Sequence, residues 1–366
     1  LLRGSVRTIR YARSWKAGAD VEIRQTAFAR DGTLVPATLI LPARRSGMLP
    51  GWIALGGVSR MGRRHPQLTR FAEALASSGA AVLVPEIPEW RQLKVSPRPA
   101  KPTIRACIQL LQQQPEVRPG KLGLIGFSFG APQVAIAAAT DDLAEHIAGI
   151  VLFGGYCSLD RTLTCQLTGD HEWDGVNYAL APDPYGRWVV GSNHLTGVPG
   201  HEDAGDVADA LHRLASAASE QRVSAWEPYH DEMIRQSRQA LPARKKALFD
   251  MFATPSGAKR PDPEACLEMA RKLTEACLRV DPLLEPAPHL AGVGVPTRLI
   301  HGRGDRLIPF TECMRLHDSL PESARQGRTV TGLFAHSADK STGSLLSRIR
   351  EKATFFRALQ GLINTA

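Results

Sequence analysis

The chain of 366 residues is poor in cysteine, with six, and in aromatic residues, at 6%. No two cysteines stand as C-x-x-C and none has histidines at zinc-ligand spacing, which excludes the common small zinc modules. Cys157 and Cys165 are close enough to pair in an oxidising compartment, but buried free thiols are the expectation. Cys266 and Cys277 fall with Met269, Leu273 and Val280 on one face of an expected helix. No stretch approaches about 18 consecutive apolar residues, so no membrane-spanning helix is expected. The H-E-x-x-H pattern is missing: His171 heads only HEWD and His201 only HED, so no metal site is expected. A Gly-rich phosphate loop, internal repeats and low-complexity segments are also lacking, and nothing calls for a cofactor. The net charge of +9 is spread along the chain, with only short clusters such as RMGRRH and RKK. Without a basic stripe interleaved with aromatics, a nucleic-acid partner is not expected. The basic opening, LLRGSVRTIRYARSWK, has no apolar signal core. An export signal would have to stand upstream of it, so the compartment stays open, with the cytoplasm slightly favoured. Oligomeric state is open too.

What is present is an alternation of apolar strand patterns with amphipathic helices. VEIRQTAFA and LVPATLILP flank Asp31-Gly32, a hairpin turn signal. GWIALGG, AAVLVP, KLGLIG and IAGIVLFGG read as short buried strands. Between them, PQLTRFAEALASSG and PTIRACIQLLQQ carry helical periodicity, with Leu68, Phe71, Ala72 and Leu75 in step in the first. From about 156 to 290 strand signals nearly vanish and helices are expected at 205–221, 227–252 and 262–280, the last capped by Asp262 ahead of Pro263. The strand pattern then resumes with VPTRLIHG, a helix at 310–319, GRTVTG, and a closing helix. The fold class is α/β: a mostly parallel central sheet with helices on both faces and a helical cap insertion. The expected division is an N-terminal arm at 1–19, core at 20–155, insertion at 156–290 and core again at 291–366.

The segment GFSFG, residues 126–130, sets Ser128 where a strand hands over to a helix. Gly-x-Ser-x-Gly alone is short enough to arise by chance among 32 glycines. In this context, however, it is what a nucleophile elbow requires, a turn too tight for side chains two residues either side of the serine. A serine hydroxyl needs a base to take its proton and an acid to orient that base. Asp305 stands in LIHGRGDRLIP, just after an apolar strand, and His336 in TGLFAHS after the next. Both follow the C-terminal ends of strands, where open α/β sheets place their sites. Asp160 is a rival for the acid, and His301 suits a structural role better than that of the base.

With GFSFG, HGRGDRLIP and the late histidine, the chain resembles the α/β-hydrolase superfamily, nearest to dienelactone-hydrolase-like or carboxylesterase-like bacterial proteins. The resemblance covers roughly 20–155 and 291–366. It implies Ser128 as nucleophile, His336 as base and then acid, and Asp305 as orienting carboxylate, acting on a small-molecule ester. It also implies an oxyanion hole from the Phe129 amide and one from the loop ALGGVSRMG. There Gly56-Gly57 replaces the usual His-Gly, leaving Gly57 or Val58 as the second donor. Candidate substrate contacts are Arg60, for a substrate carboxylate, and Trp173, Tyr185 and Trp188 from the insertion, with Tyr178, Trp226 and Tyr229 beside them. Thioesterase, amidase and acyltransferase chemistry would use the same residues, and a non-catalytic binding protein on this fold is the reading from another class.

Overall fold

The computed structural model describes residues 2–258, 261–332 and 345–365, with the backbone alone for 2, 3 and 345–350. The basic opening is a helix, α1 (Leu2–Ala17). Next come β1 (Val21–Arg30) and β2 (Thr33–Pro42), the expected hairpin, whose turn residues Asp31 and Gly32 have φ of 49° and 76°. Two successive positive-φ residues match the twist of paired strands, and Asp-Gly adopts them at low cost. The chain continues through β3 (Gly51–Leu55), α2 (Pro66–Ser77), β4 (Ala81–Pro85), α3 (Pro88–Arg91) and α4 (Ala100–Gln112). Then follow β5 (Leu122–Phe127), α5 (Gly130–Ala138), α6 (Asp141–Ala144) and β6 (Ile147–Phe153).

Between β6 and the next strand of the main sheet lie α7 (Leu159–Thr168), a small hairpin of β7 (Asp170–Trp173) and β8 (Val176–Ala179), and α8 (Tyr185–His194). After these come α9 (Gly205–Gln221), α10 (Asp231–Ala240), α11 (Ala243–Phe252) and α12 (Pro263–Val280). The helix expected over 227–252 is thus two. Leu241, held extended ahead of Pro242 with ψ of 146°, breaks it, because proline bars its predecessor from helical geometry. Asp262 caps α12, its carboxylate accepting the Ala265 N–H at 3.0 Å. Cys266, Met269, Leu273 and Cys277 are buried, whereas Val280, the last residue of the helix, is 58% exposed. The stripe is right in phase, but the helix runs on past the packed layer. All six cysteines are free and buried, so Cys157 and Cys165 form no bridge.

The chain closes with β9 (Thr297–Gly302), α13 (Phe310–Ser319), β10 (Arg325–Thr331) and α14 (Leu345–Ile363). The eight-stranded sheet has the order β1-β2-β4-β3-β5-β6-β9-β10, antiparallel over β1, β2 and β4 and parallel from β4 to β10. Alternate residues of the inner strands enter two cores. Ile53, Leu83, Leu124 and Leu152 meet α4 and α5, while Trp52, Val82, Ile125 and Val151 meet α2, α14 and Tyr11 of α1. Burial on both faces explains why these strands read as continuous apolar runs. Among the described residues no helix is long and apolar enough to cross a membrane.

Candidate functional site

Ser128 follows β5 directly with φ of 53°, left-handed geometry that an L-residue adopts only under constraint. Two bonds hold the turn: the Ser128 N–H donates to Phe153 O of β6 at 2.8 Å, and the Ala131 N–H to Ser128 O at 3.0 Å. The flanking glycines are steric necessities. A Cβ at Gly126 would stand 2.5 Å from Ala131 Cα, and one at Gly130 would stand 2.3 Å from Gly56 O. Close approach continues across to the loop after β3, where a Cβ on Gly57 would lie 3.0 Å from Ser128 Cβ and 3.3 Å from its Oγ. That loop and the serine are therefore closely opposed, and a side chain at Gly57 would press on Ser128.

Around the half-buried serine, the N–H groups of Phe129 and Val58 donate to no acceptor among the described residues. The Phe129 ring is fixed edge-on against Trp90, centroids 5.3 Å apart. The peptide after Val58 is gripped at both ends: Tyr185 Oη donates to Val58 O at 3.1 Å, and the Ser59 N–H donates to Trp90 O at 3.2 Å. Ser219, near the C-terminus of α9, accepts the Arg60 N–H at 2.9 Å and lies 3.1 Å from Ser59 Oγ. Arg60 itself pairs with Glu220 at 2.8 Å, so its guanidinium is engaged by the protein. Arg63 is not a solvated surface charge. Its side chain is 9% exposed beside Glu86, 3.9 Å away, and donates to Gln25 and Thr38. Burial pushes the Glu86 carboxyl above the usual carboxylate range despite the Arg63 charge and the Arg63 N–H.

Asp305 lies in the loop after β9 and is fully buried. Its Oδ1 accepts the Leu307 and Ile308 N–H groups at 2.9 and 3.1 Å. His301, also fully buried, has Nε2 2.9 Å from Ile308 O and 3.5 Å from Asp305 Oδ2. A carbonyl only accepts, so Nε2 carries the proton. Asp160, by contrast, is exposed on the first turn of α7. His336 lies outside the described residues.

The segment between β6 and β9 reaches the loop that bears Asp305 as well as the loop after β3. Arg306 donates to Ala181 O at 2.6 Å and lies over the Trp226 ring at 4.4 Å, while Gln166 Nε2 donates to Leu307 O at 3.2 Å. The other aromatic candidates are placed differently. Trp188 is fully buried and donates to Phe252 O at 2.9 Å, whereas Tyr229 is 62% exposed. Trp173 stands on the hairpin beneath Arg315, 5.3 Å away. Tyr178 stacks on His171 over Phe310, beside a cavity of about 580 Å³ that Thr164, Thr311 and Arg315 also line. Burial pulls the His171 imidazole below its ordinary pKa.

Sequence reading gave no role to Glu312, which is 1% exposed. Its Oε2 accepts the N–H groups of Cys157 and Ser158 at 2.9 and 2.7 Å, and its Oε1 accepts Arg161 Nε at 2.8 Å, bracing the loop after β6. Its partners are backbone amides about 150 residues away, which no local pattern announces.

No protein-family model and no curated protein matches the chain. Solved structures do. The acylaminoacyl peptidase of Pyrococcus horikoshii is similar over 94% of this chain, at 12% identity and a TM-score of 0.50. The likeness takes in only 42% of the peptidase chain, less than half its length. A hypothetical protein from Pseudomonas aeruginosa is similar at 16% identity and a TM-score of 0.47, over 93% of this chain and 94% of its own. Est1E from Butyrivibrio proteoclasticus is similar at 12% identity and a TM-score of 0.47, over 92% and 98%. At such identities what is shared is the fold.

Proposed function

We propose that this chain, which has the α/β-hydrolase fold, is a serine hydrolase that cleaves a small-molecule carboxylic ester through an acyl-enzyme, without a cofactor. The observation that carries the reading is Ser128, a non-glycine residue at φ 53° on a strand-to-helix turn, flanked by two positions, Gly126 and Gly130, where glycine alone fits. In this mechanism Ser128 Oγ attacks the ester carbonyl, and His336 takes its proton and returns it to the departing alcohol. Asp305, its carboxylate fixed by two backbone amides, orients the imidazole and offsets its charge. Negative charge on the carbonyl oxygen is met by the Phe129 N–H and by that of Val58 or Gly57. Water then repeats the attack on the acyl-enzyme, with His336 again as base. Residues of about 156–290 act as a cap, rooted at the sheet edge that bears Ser128 and Asp305, so that closure excludes water from the acyl-enzyme. Tyr185 and Trp226 are its aromatic contacts with the two catalytic loops.

A fluorophosphonate probe with p-nitrophenyl esters of graded chain length tests this reading. The protein labels and hydrolyses at least one ester, and Ser128→Ala stays folded but does neither. Asp305→Asn lowers kcat by about 10⁴-fold through the wrong imidazole tautomer, while Asp160→Asn leaves it unchanged. Full-strength labelling of Ser128→Ala overturns the nucleophile, and a larger loss in Asp160→Asn than in Asp305→Asn overturns the acid.

A further inference from the structure

At the sheet edge opposite Ser128, near the N-terminal ends of β9 and β10, a cavity of about 280 Å³ opens between these strands and α14. Its lining includes Arg298, Arg328 and Arg357 with Thr329 and Thr354, and no acidic residue. Arg328 is already paired with Asp318 at 3.0 Å. Arg298 and Arg357 have no ion-pair partner among the described residues. Arg298 Nη1 donates to Gln326 O at 2.8 Å, but its Nε is buried and meets no acceptor. Burial also pulls the Arg298 guanidinium below its ordinary pKa. The Gln326 carbonyl meets one corner of this half-buried guanidinium, but the buried Nε–H is left with a desolvation cost that no acceptor among the described residues offsets. The guanidinium lies against the backbone of α14: a Cβ at Gly361, one turn after Arg357, would lie 2.7 Å from Arg298 Nη1.

We propose that this cavity binds a phosphoryl group, either free phosphate or that of a small phosphorylated metabolite. Two guanidinium groups from different elements, neither paired with a carboxylate among the described residues, suit a dianion, and the Thr329 and Thr354 hydroxyls supply further donors around a tetrahedral centre. The volume lies just below the ~300–1,000 Å³ of pockets that enclose drug-sized ligands, so the organic remainder is small. The site stands apart from Ser128 and does not depend on the reaction proposed there.

Thermal unfolding and calorimetric titration with inorganic phosphate, glycerol 2-phosphate and acetate, all at one ionic strength set with sodium chloride, test it. Inorganic phosphate or the phosphomonoester should raise the melting temperature saturably, acetate and chloride should not, and the tighter of the two phosphates identifies the source. Arg357→Gln, on an exposed helix position, should bind at least tenfold more weakly while melting normally without ligand. Gly361→Ala should weaken binding with every charge kept, and Arg298→Gln should abolish it. A phosphate effect no larger than that of chloride, or undiminished binding by Arg357→Gln, overturns the proposal whatever the folding of Arg298→Gln.

Discussion

Holding Ser128 at φ 53° costs an L-residue about 1–2 kcal/mol, a strain that the Phe153 carbonyl and the helix start of α5 impose. Glycine adopts that conformation freely. Ser128→Gly is therefore expected to unfold at higher urea than the wild type, by about 1 kcal/mol, while losing all hydrolysis. Equal stability would mean that the turn is not strained. Glu86 gives a pH signature at the same scale. Its pKa in the fold is raised, so the native state binds the proton more tightly than the unfolded chain does. The stability it contributes is present below the ordinary carboxylate pKa and is lost as pH rises through the raised value. Arg63 and Arg91 face the carboxyl and pull the other way, but burial outweighs them. Glu86→Gln, which keeps the neutral shape, should match the wild type near pH ~4 and melt above it near pH ~7. A gap that shrinks with rising pH would show the Arg63 pairing to dominate instead.

Among the elements, the loop after β3 and helices α8 and α9 act as one unit, since Tyr185 and Ser219 hold the backbone on which the second oxyanion donor is proposed to sit. Tyr185→Phe removes only the hydroxyl that anchors Val58 O. It should lower kcat about 5–10-fold, the equivalent of one hydrogen bond, with KM nearly unchanged. A rise in KM alone would mark Tyr185 as a substrate contact instead. Elements were legible in the sequence where local chemistry sets them. Asp262 before Pro263 announces α12, and Asp31-Gly32 announces the first hairpin. The β7–β8 hairpin carries the same Asp-Gly signal, at Asp174-Gly175 with φ of 52° and 74°, but its strands DHEW and VNYA lack the apolar alternation that makes a strand stand out. Helix α1 was obscure because Arg7 and Thr8 share its inner face with Tyr11, so no clean stripe appears. Arg7 donates to Ser78 O and Ile363 O, contacts that exist only once α1 is packed against α2 and α14. The positions of Ser128 and Asp305 just after β5 and β9 were legible because their motifs are short and follow clear apolar strands. Tyr185 stood out only as a candidate substrate contact, and its hold on Val58 O, like the roles of Ser219 and Glu312, is fixed by topology rather than by any neighbouring residue.

In the molecule as a whole, α1 closes over α2 while Ser5 meets Gln360 of α14, so the two ends of the chain are joined over one face of the sheet. The six cysteines are distributed through both halves of the other face's core and the segment above it, and none is bridged. Burial pushes the Cys157 thiol up to about 11 and those of Cys165 and Cys313 to about 12, and it raises Cys107, Cys266 and Cys277 as well. Thiolate is the reactive form, so the native protein should be silent to DTNB at neutral pH and show all six equivalents in guanidinium chloride. The folded chain thus carries its own clock. The rate at which colour develops under mild conditions counts opening events, and the first thiol to react, identified by mass, names the region that opens first.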